Sequence, residues 1–320
     1  MTLLLLGVDI GGTKTLLALG RSPVDVLGRV RFPTAGPEET LDRVEREASA
    51  LLAAADCRAP AAVGIACGGP LDAELGLVLS PPNLPGWDRV PVVERLSRAF
   101  GAPARLENDA NAGALAEHRY GAGRGTRDFV FVTCGTGLGA GLVLGGRLHR
   151  GVADLAGEIG HVRLAPDGPE HYGKRGSAEG FASGAGLALA ARARRSEAAE
   201  RGSPLAGLPE VEVTAAAVGG AAAAGDALAR ELVTACGEAL GRALAVLVDV
   251  LNPECIAVGG LGLYLGEALL APAREALRAE ALPAAAAACR LVPAALGGAL
   301  GEVQALCVAE AALESRGGSR

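Results

Sequence analysis

Asp9-Ile10-Gly11-Gly12-Thr13-Lys14-Thr15 follows the apolar run Leu3 to Val8, and Cys134-Gly135-Thr136-Gly137-Leu138-Gly139 follows Phe129 to Thr133. A further β-like run comes after each, Leu16 to Leu19 and Gly141 to Leu144, so both stretches read as tight strand-loop-strand turns. Glycine lets a backbone take positive φ and bring N–H groups close to an anion, and threonine adds a hydroxyl donor. Taken singly, either loop also reads as a plain glycine-rich hairpin. Their pairing points to a duplicated phosphate clamp. Other phosphate loops fit poorly: a P-loop needs G-x-x-x-x-G-K-[ST], whereas Thr13 separates Gly12 from Lys14 and no helical pattern follows. Gly135, Gly137 and Ala140 satisfy G-x-G-x-x-A but lead into a strand, which argues against a dehydrogenase.

A chain of 320 residues can bury two cores of ordinary size, so two similar α/β lobes with a cleft between them are expected. Half of the residues are hydrophobic, yet Arg242, Asp249 and Pro283 interrupt the longest apolar stretches before they reach a membrane span of ~18 residues. The start, Leu3 to Leu6, lacks a basic flank and runs directly into the first loop, which reads as a core strand and not a signal peptide. A cytoplasmic protein is expected. The seven cysteines are dispersed through apolar runs without a C-x-x-C pair, which suggests reduced, buried thiols. A net charge of −6 without a basic run argues against a nucleic-acid surface.

Lysine and asparagine are scarce in this arginine- and alanine-rich chain, and they stand in unusual places. Lys14 lies in the first loop and Lys174 in a glycine-rich segment; Asn83 lies in Pro-Pro-Asn-Leu-Pro, Asn108 and Asn111 in Glu-Asn-Asp-Ala-Asn, and Asn252 in Leu-Asn-Pro. Such placement suggests chemical need, with accident as the alternative. A meander Leu3 to Val8, Thr15 to Leu19 and Leu27 to Phe32 is expected first. A helix from Pro37 to about Ala55 and a buried strand Ala61 to Cys67 follow. Pro81 to Trp87 reads as an extended loop and Gly151 to Gly186 as irregular chain. Helices are expected over Leu187 to Arg195, Ala227 to Leu251 and Gly301 to Glu314, and a short strand over Cys255 to Val258.

Leu106 to Asp109 ends a short strand, and Ala112 to Arg119 reads as a helix. Asp109 at that junction suits either a carboxylate facing a ligand or a helix N-cap. Taken with Gly157-Glu158-Ile159-Gly160-His161, Asn252-Pro253-Glu254 and Val258-Gly259-Gly260, the two loops and Glu107-Asn108-Asp109-Ala110-Asn111 resemble the ROK (repressor, ORF, kinase) family of sugar kinases. The ordered set covers nearly the whole chain.

The resemblance implies an α/β, two-lobed, actin-like ATPase (ribonuclease H-like) fold with a central cleft, and ATP-dependent phosphorylation of a hexose hydroxyl. The expected lobes are residues 1–118 with 300–320, and residues 119–299. On that resemblance Asp109 is the general base, and Asn108, Glu158, His161 and Glu179 grip the other hydroxyls, with Asn83 and Gly69 also at the sugar. Gly11, Gly12, Thr13, Lys14, Thr136 and Gly137 belong to the phosphate site, Gly259 and Gly260 to the adenosine site, and Asp9 to Mg²⁺ held through water. A homodimer is implied as well. The family usually carries Cys-x-Cys-Gly-x-x-Gly-Cys-x-Glu, which binds a structural zinc with the histidine of the Gly-His pair. This chain has Glu170-His171-Tyr172-Gly173-Lys174-Arg175-Gly176-Ser177-Ala178-Glu179, so no structural zinc is expected. A replacement site on His161, His171 and Glu170, and a purely structural role for His161, stay open. Cys67-Gly68-Gly69-Pro70-Leu71-Asp72 also departs from the usual Pro-Gly-x-Val-Asp turn near the sugar, and Trp87 reads as sugar stacking or as packing. Glucose phosphorylation to glucose 6-phosphate leads, with an N-acetylhexosamine such as N-acetylmannosamine, or fructose, as the alternative acceptor. A sugar-responsive regulator is the remote alternative; such proteins carry a helix-turn-helix ahead of the first loop.

Overall fold

The computed structural model describes residues 3–317; the outermost ends of the expected first lobe, 1–2 and 318–320, lie outside the described residues. Strands β1 (Leu5–Ile10), β2 (Lys14–Ser22) and β3 (Asp25–Pro33) lead into helix α1 (Pro37–Ala54) and strand β4 (Ala62–Cys67). Short strands β5 (Leu71–Asp72) and β6 (Leu77–Val78) precede α2 (Val92–Phe100), β7 (Ala104–Asn108) and α3 (Asp109–Tyr120). The pattern restarts with β8 (Phe129–Cys134), β9 (Leu138–Leu144) and β10 (Arg147–His149). Next come β11 (Glu170–His171), β12 (Lys174–Arg175), α4 (Ala178–Ala182), α5 (Gly184–Ala193), α6 (Arg195–Glu200) and α7 (Ala215–Ala223). The long α8 (Ala227–Leu251), β13 (Cys255–Val258), α9 (Leu261–Tyr264), α10 (Glu267–Glu280), α11 (Pro283–Ala288), β14 (Arg290–Pro293) and α12 (Leu300–Gly317) complete the chain.

Among the described residues these elements form two compact units: residues 3–124, 148–156 and 296–317 make the first, and residues 125–147 and 157–295 the second. Each is built on a five-stranded sheet, ordered β3-β2-β1-β4-β7 in the first and β10-β9-β8-β13-β14 in the second. In the first, β1 pairs antiparallel with β2 and parallel with β4, and β4 pairs parallel with β7. In the second, β8 pairs antiparallel with β9 and parallel with β13, and β13 pairs parallel with β14. The two glycine loops are therefore equivalent hairpin turns beside the central strand of each sheet.

Sequence dictates the burial. Strands β4 and β13 are apolar throughout and buried throughout, as parallel strands covered on both faces require. In the first unit Leu41, Val44 and Ala48 of α1 and Leu96 of α2 pack with Leu6, Val8 and Ile65 in one core. Helix α12 covers the opposite face so closely that a Cβ at Gly64 would lie 2.1 Å from Ala309 N. In the second unit a Cβ at Gly241 of α8 would lie 2.2 Å from Ala273 O of α10, so glycine permits that helix pair to pack.

Helix α8 spans the expected residues because its ends are capped. Asp226 Oδ1 accepts from Ala229 N at 2.7 Å, and Asn252 closes the helix at φ 48°. Asn252 thus has a backbone role, not a chemical one. The stretch Gly151 to Gly186, expected to be irregular, contains β11, β12, α4 and the start of α5, and α5 stops at Ala193, short of Arg195. Cys57 and Cys289 are only part-buried while the other five cysteines are buried, and all seven are free thiols. Among the described residues no helix is long and apolar enough to cross a membrane.

Candidate active site

In the first unit the candidate residues Asp9, Asn108 and Asp109 lie at the C-terminal ends of its parallel strands. Asp9 is the last but one residue of β1, and Asp109 directly follows β7; β4 lies between these two strands, which therefore stand roughly 10 Å apart at ordinary strand spacing. Asp9 is part-buried, and its carboxyl is pushed up to about 7, chiefly by burial and then by the charge of Asp109; a hydrogen bond with Gln304 and the charges of Lys14 and Arg31 oppose this. Asp9, with the charge of Asp109 close enough to act on it, offers the carboxylate oxygens that suit a hard cation.

Asp109 occupies the first turn of α3, where its Oδ1 accepts from Ala110 N at 2.8 Å. The N-cap itself is Asn108, whose Oδ1 accepts from Ala110 N at 2.9 Å and from Asn111 N at 3.4 Å. The N-cap position therefore falls to Asn108, and Asp109 stands part-buried at the strand-to-helix junction. With its oxygen committed, Asn108 retains its Nδ2 donor, which lies 3.3 Å from where a Gly69 Cβ would stand. Gly68 is the neighbour of Asp109: a Cβ there would lie 4.0 Å from Asp109 Oδ2.

Beneath this junction lies Glu107, 1% exposed, which the motif contains but to which sequence reading assigned no role. Arg150 Nε donates to its Oε2 at 3.0 Å, and Asn111 Nδ2 to its Oε1 at 3.1 Å. Nothing in local sequence links Arg150 to Glu107; only the return of residues 148–156 to the first unit joins them.

The first loop is exposed at Gly12, Thr13 and Lys14, and Gly11 N donates to Lys14 O at 3.0 Å to close the turn. Asn83 is its neighbour: a Cβ at Gly12 would lie 2.6 Å from Asn83 O. Trp87 is 1% exposed and donates its Nε1 hydrogen to Ala35 O at 3.1 Å, so packing, not sugar stacking, is its role.

In the second unit Thr136 is exposed at the tip of the other loop, and Gly135 N donates to Gly137 O at 3.0 Å. The start of α5 braces it, with Gly184 N donating to Gly135 O at 2.7 Å and Ala185 N to Thr136 O at 3.2 Å. Gly259 N donates to Val132 O at 2.9 Å, and a Cβ at Gly260 would lie 2.1 Å from Cys134 O, so both expected adenosine-site glycines sit at the end of β8 beside the loop.

Glu158 and His161 are exposed on either side of buried Ile159 and Gly160. Gly157, at φ 97°, fixes this turn to β9, because a Cβ would come within 1.9 Å of Ala140 O. Glu179 joins it to the loop by accepting from Leu138 N at 2.8 Å. The structure thus brings Glu158, His161, Glu179, Thr136, Gly137, Gly259 and Gly260 onto the second unit, and Asp9, Gly11, Gly12, Thr13, Lys14, Gly69, Asn83, Asn108 and Asp109 onto the first.

The ROK family profile matches residues 5–311. The chain belongs to the ROK family. A glucokinase of Thermotoga maritima is 36% identical over 273 residues, covering 85% of this chain and 86% of that protein. An N-acetylmannosamine kinase of Escherichia coli O127:H6 is 35% identical over 289 residues, covering 87% and 92%. Among solved structures, the ROK glucokinase of Streptomyces griseus in complex with glucose and AMPPNP aligns at a TM-score of 0.79 and 32% identity, covering 97% of this chain and 99% of that one. A ROK transcriptional regulator, a homologue of the E. coli MLC protein, aligns at a TM-score of 0.86 and 26% identity, covering 98% and 79%. The fold of this ROK protein, two α/β repeats each with a glycine hairpin on its central strand, is the actin-like ATPase fold.

The zinc donor set implied by the resemblance does not fit this ROK chain. Among the described residues no group of three or more His, Cys, Asp or Glu side chains could hold a metal ion. Glu170 pairs with Arg175 at 3.2 Å, and His171 Nδ1 lies 2.6 Å from Glu179 Oε1.

Proposed function

We propose that this ROK protein transfers the γ-phosphoryl group of ATP to a hydroxyl of a hexose, with glucose as the first acceptor and glucose 6-phosphate as product. The observation that carries the reading is the strand-end pair of carboxylates, with Asp109 held by the first turn of α3 and Asp9 beside the first glycine loop. Phosphoryl transfer asks a protein mainly for positioning and for neutralisation of charge. Asp109 accepts the proton of the sugar hydroxyl as that oxygen bonds to the γ-phosphorus; the bond from phosphorus to the bridging oxygen breaks, and ADP leaves. Asn108 donates from Nδ2, and Asn83, Glu158, His161 and Glu179 bind the remaining hydroxyls. Amides and hydroxyls of Gly11, Gly12, Thr13, Thr136 and Gly137, with the Lys14 ammonium, hold the phosphates, and Gly259 and Gly260 admit the adenosine. Asp9 is the residue that would hold Mg²⁺ through water, and the cation supplies neutralisation of phosphate charge.

Free thiols at all seven cysteines support a reducing, cytoplasmic setting. The same proposal includes a homodimer, which light scattering on the purified protein tests. A second reading, N-acetylmannosamine as acceptor, is supported by the similarity to the E. coli kinase. A coupled assay with Mg-ATP and a panel of glucose, mannose, fructose, N-acetylglucosamine and N-acetylmannosamine decides between them. Glucose is expected to give the highest kcat/KM. A preference for N-acetylmannosamine selects the second reading, and no turnover with any sugar overturns both.

A further inference from the structure

In the second unit, the segment after the Gly157 turn is stitched by hydrogen bonds that converge on one carboxylate. His171 Nδ1 lies 2.6 Å from Glu179 Oε1, and Leu138 N, in the second glycine loop, donates to Glu179 Oε2 at 2.8 Å. An ionised carboxylate only accepts, so Nδ1 carries the hydrogen. The histidine is itself held. Its backbone pairs with Lys174 in the β11–β12 hairpin, its ring lies in a T-shaped arrangement with Tyr172 at 4.8 Å between centroids, and Lys174 Nζ in turn donates to His161 O. Glycines leave room for the carboxylate: a Cβ at Gly137 would lie 2.6 Å from Glu179 Oε2, and one at Gly160 would lie 3.2 Å from Glu179 Cβ.

The His171 and Glu179 side chains are 19% and 13% exposed, so ligand hydroxyls can reach them while bulk water competes little. A carboxylate offers about four lone-pair sites. Two are taken here, and two remain for a ligand.

We infer that His171 is a positioning residue for sugar binding: it fixes one oxygen of Glu179 while Leu138 N–H fixes the other, and this hydrogen-bonded clamp occupies the segment where the family resemblance implied a zinc clamp. The inference rests on the sugar-kinase reading above. Without the His171 donor the carboxylate can rotate away from its ligand-binding orientation, and a lost hydrogen bond to a charged group corresponds to roughly a tenfold or larger loss of affinity. Asparagine can place an amide N–H near the former Nδ1, so it separates the lost donor from a lost ring.

The test compares wild type, His171→Ala and His171→Asn. His171→Ala is expected to raise the sugar KM roughly tenfold or more with little change in kcat, and His171→Asn to recover most of that loss. A wild-type sugar KM in His171→Ala overturns the inference. So does an equal impairment of both variants accompanied by a fall in melting temperature, which is what a merely structural ring would produce. A second readout needs no turnover. The chain has two lysines, Lys14 and Lys174, so a lysine-specific protease reports on the hairpin directly. Cleavage after Lys174 is expected to be faster in His171→Ala than in wild type, and equal rates sink the clamp. A wild-type protein that phosphorylates no sugar instead overturns the proposed function, whatever the protease shows.

Discussion

At Asp109 the distinction between holding a helix and moving a proton can be measured. Because Asn108 supplies the cap, Asp109→Asn should leave α3 in place while removing the base. Turnover is expected to fall by roughly 10²–10⁴, with sugar affinity in calorimetry nearly unchanged. Near-normal turnover in a folded variant would show that another group takes the proton. Asp9 makes a different prediction. Its carboxyl is raised from 3.8 to about 7 on folding, so the native state binds a proton more tightly than the unfolded chain between those values. Stability contributed by that proton is present below pH ~4 and is lost as pH rises through about 7. Asp9→Asn should therefore melt above ligand-free wild type at pH 8 and alongside it near pH 4, while losing activity with Mg-ATP. Equal melting at both pH values would remove the burial argument. Asp109 and Asp9 were legible as candidates because each stands beside a motif. Glu107 and Arg150 were not, because their ion pair joins residues whose proximity only the fold creates.

Among the elements, legibility followed local punctuation. Helix α8 could be read to its ends because Asp226 and Asn252 cap it, and both glycine loops could be read because apolar strands flank them. Helix α10 could not, since Pro272 stands inside it and proline ordinarily argues for a break. The pieces between Gly151 and Gly186 are too short to show periodicity, and their order comes from long-range bonds such as Leu164 N to Gly176 O at 2.8 Å and Ala178 N to Val162 O at 2.7 Å. Those bonds bear on the missing cysteines. A segment that depended on zinc would lose folding free energy to a chelator. Here a zinc-selective chelator in excess Mg²⁺ is expected to leave melting temperature and turnover unchanged, and elemental analysis to find far less than one zinc per chain. Near-stoichiometric zinc with a large fall in melting temperature would show that other ligands have taken over.

For the whole chain, the decisive feature is that the first unit closes last. Its sheet is complete by residue 108, yet the helix that covers one face of β1 and β4 begins only at Leu300, after the second unit has been traversed. On α12, Val303, Leu306 and Val308 are each at most 4% exposed. Burying three such side chains contributes on the order of 5–9 kcal/mol. That is comparable with the whole 5–15 kcal/mol by which ordinary domains are stable. Gly7 and Gly64 compound the loss, because strands shaped for close contact with α12 have no side chains of their own to cover the exposed backbone. A chain ending at Ala295 is therefore expected to lose hydrogen-exchange protection at the β1 and β4 amides, even though every residue of that sheet and of the Asp109 junction is present. Retention of full-length protection at Val8 and Ile65 in the shortened chain would show that α1 and α2 alone hold the sheet, and that the late-made helix is an accessory to the unit and not its closing element.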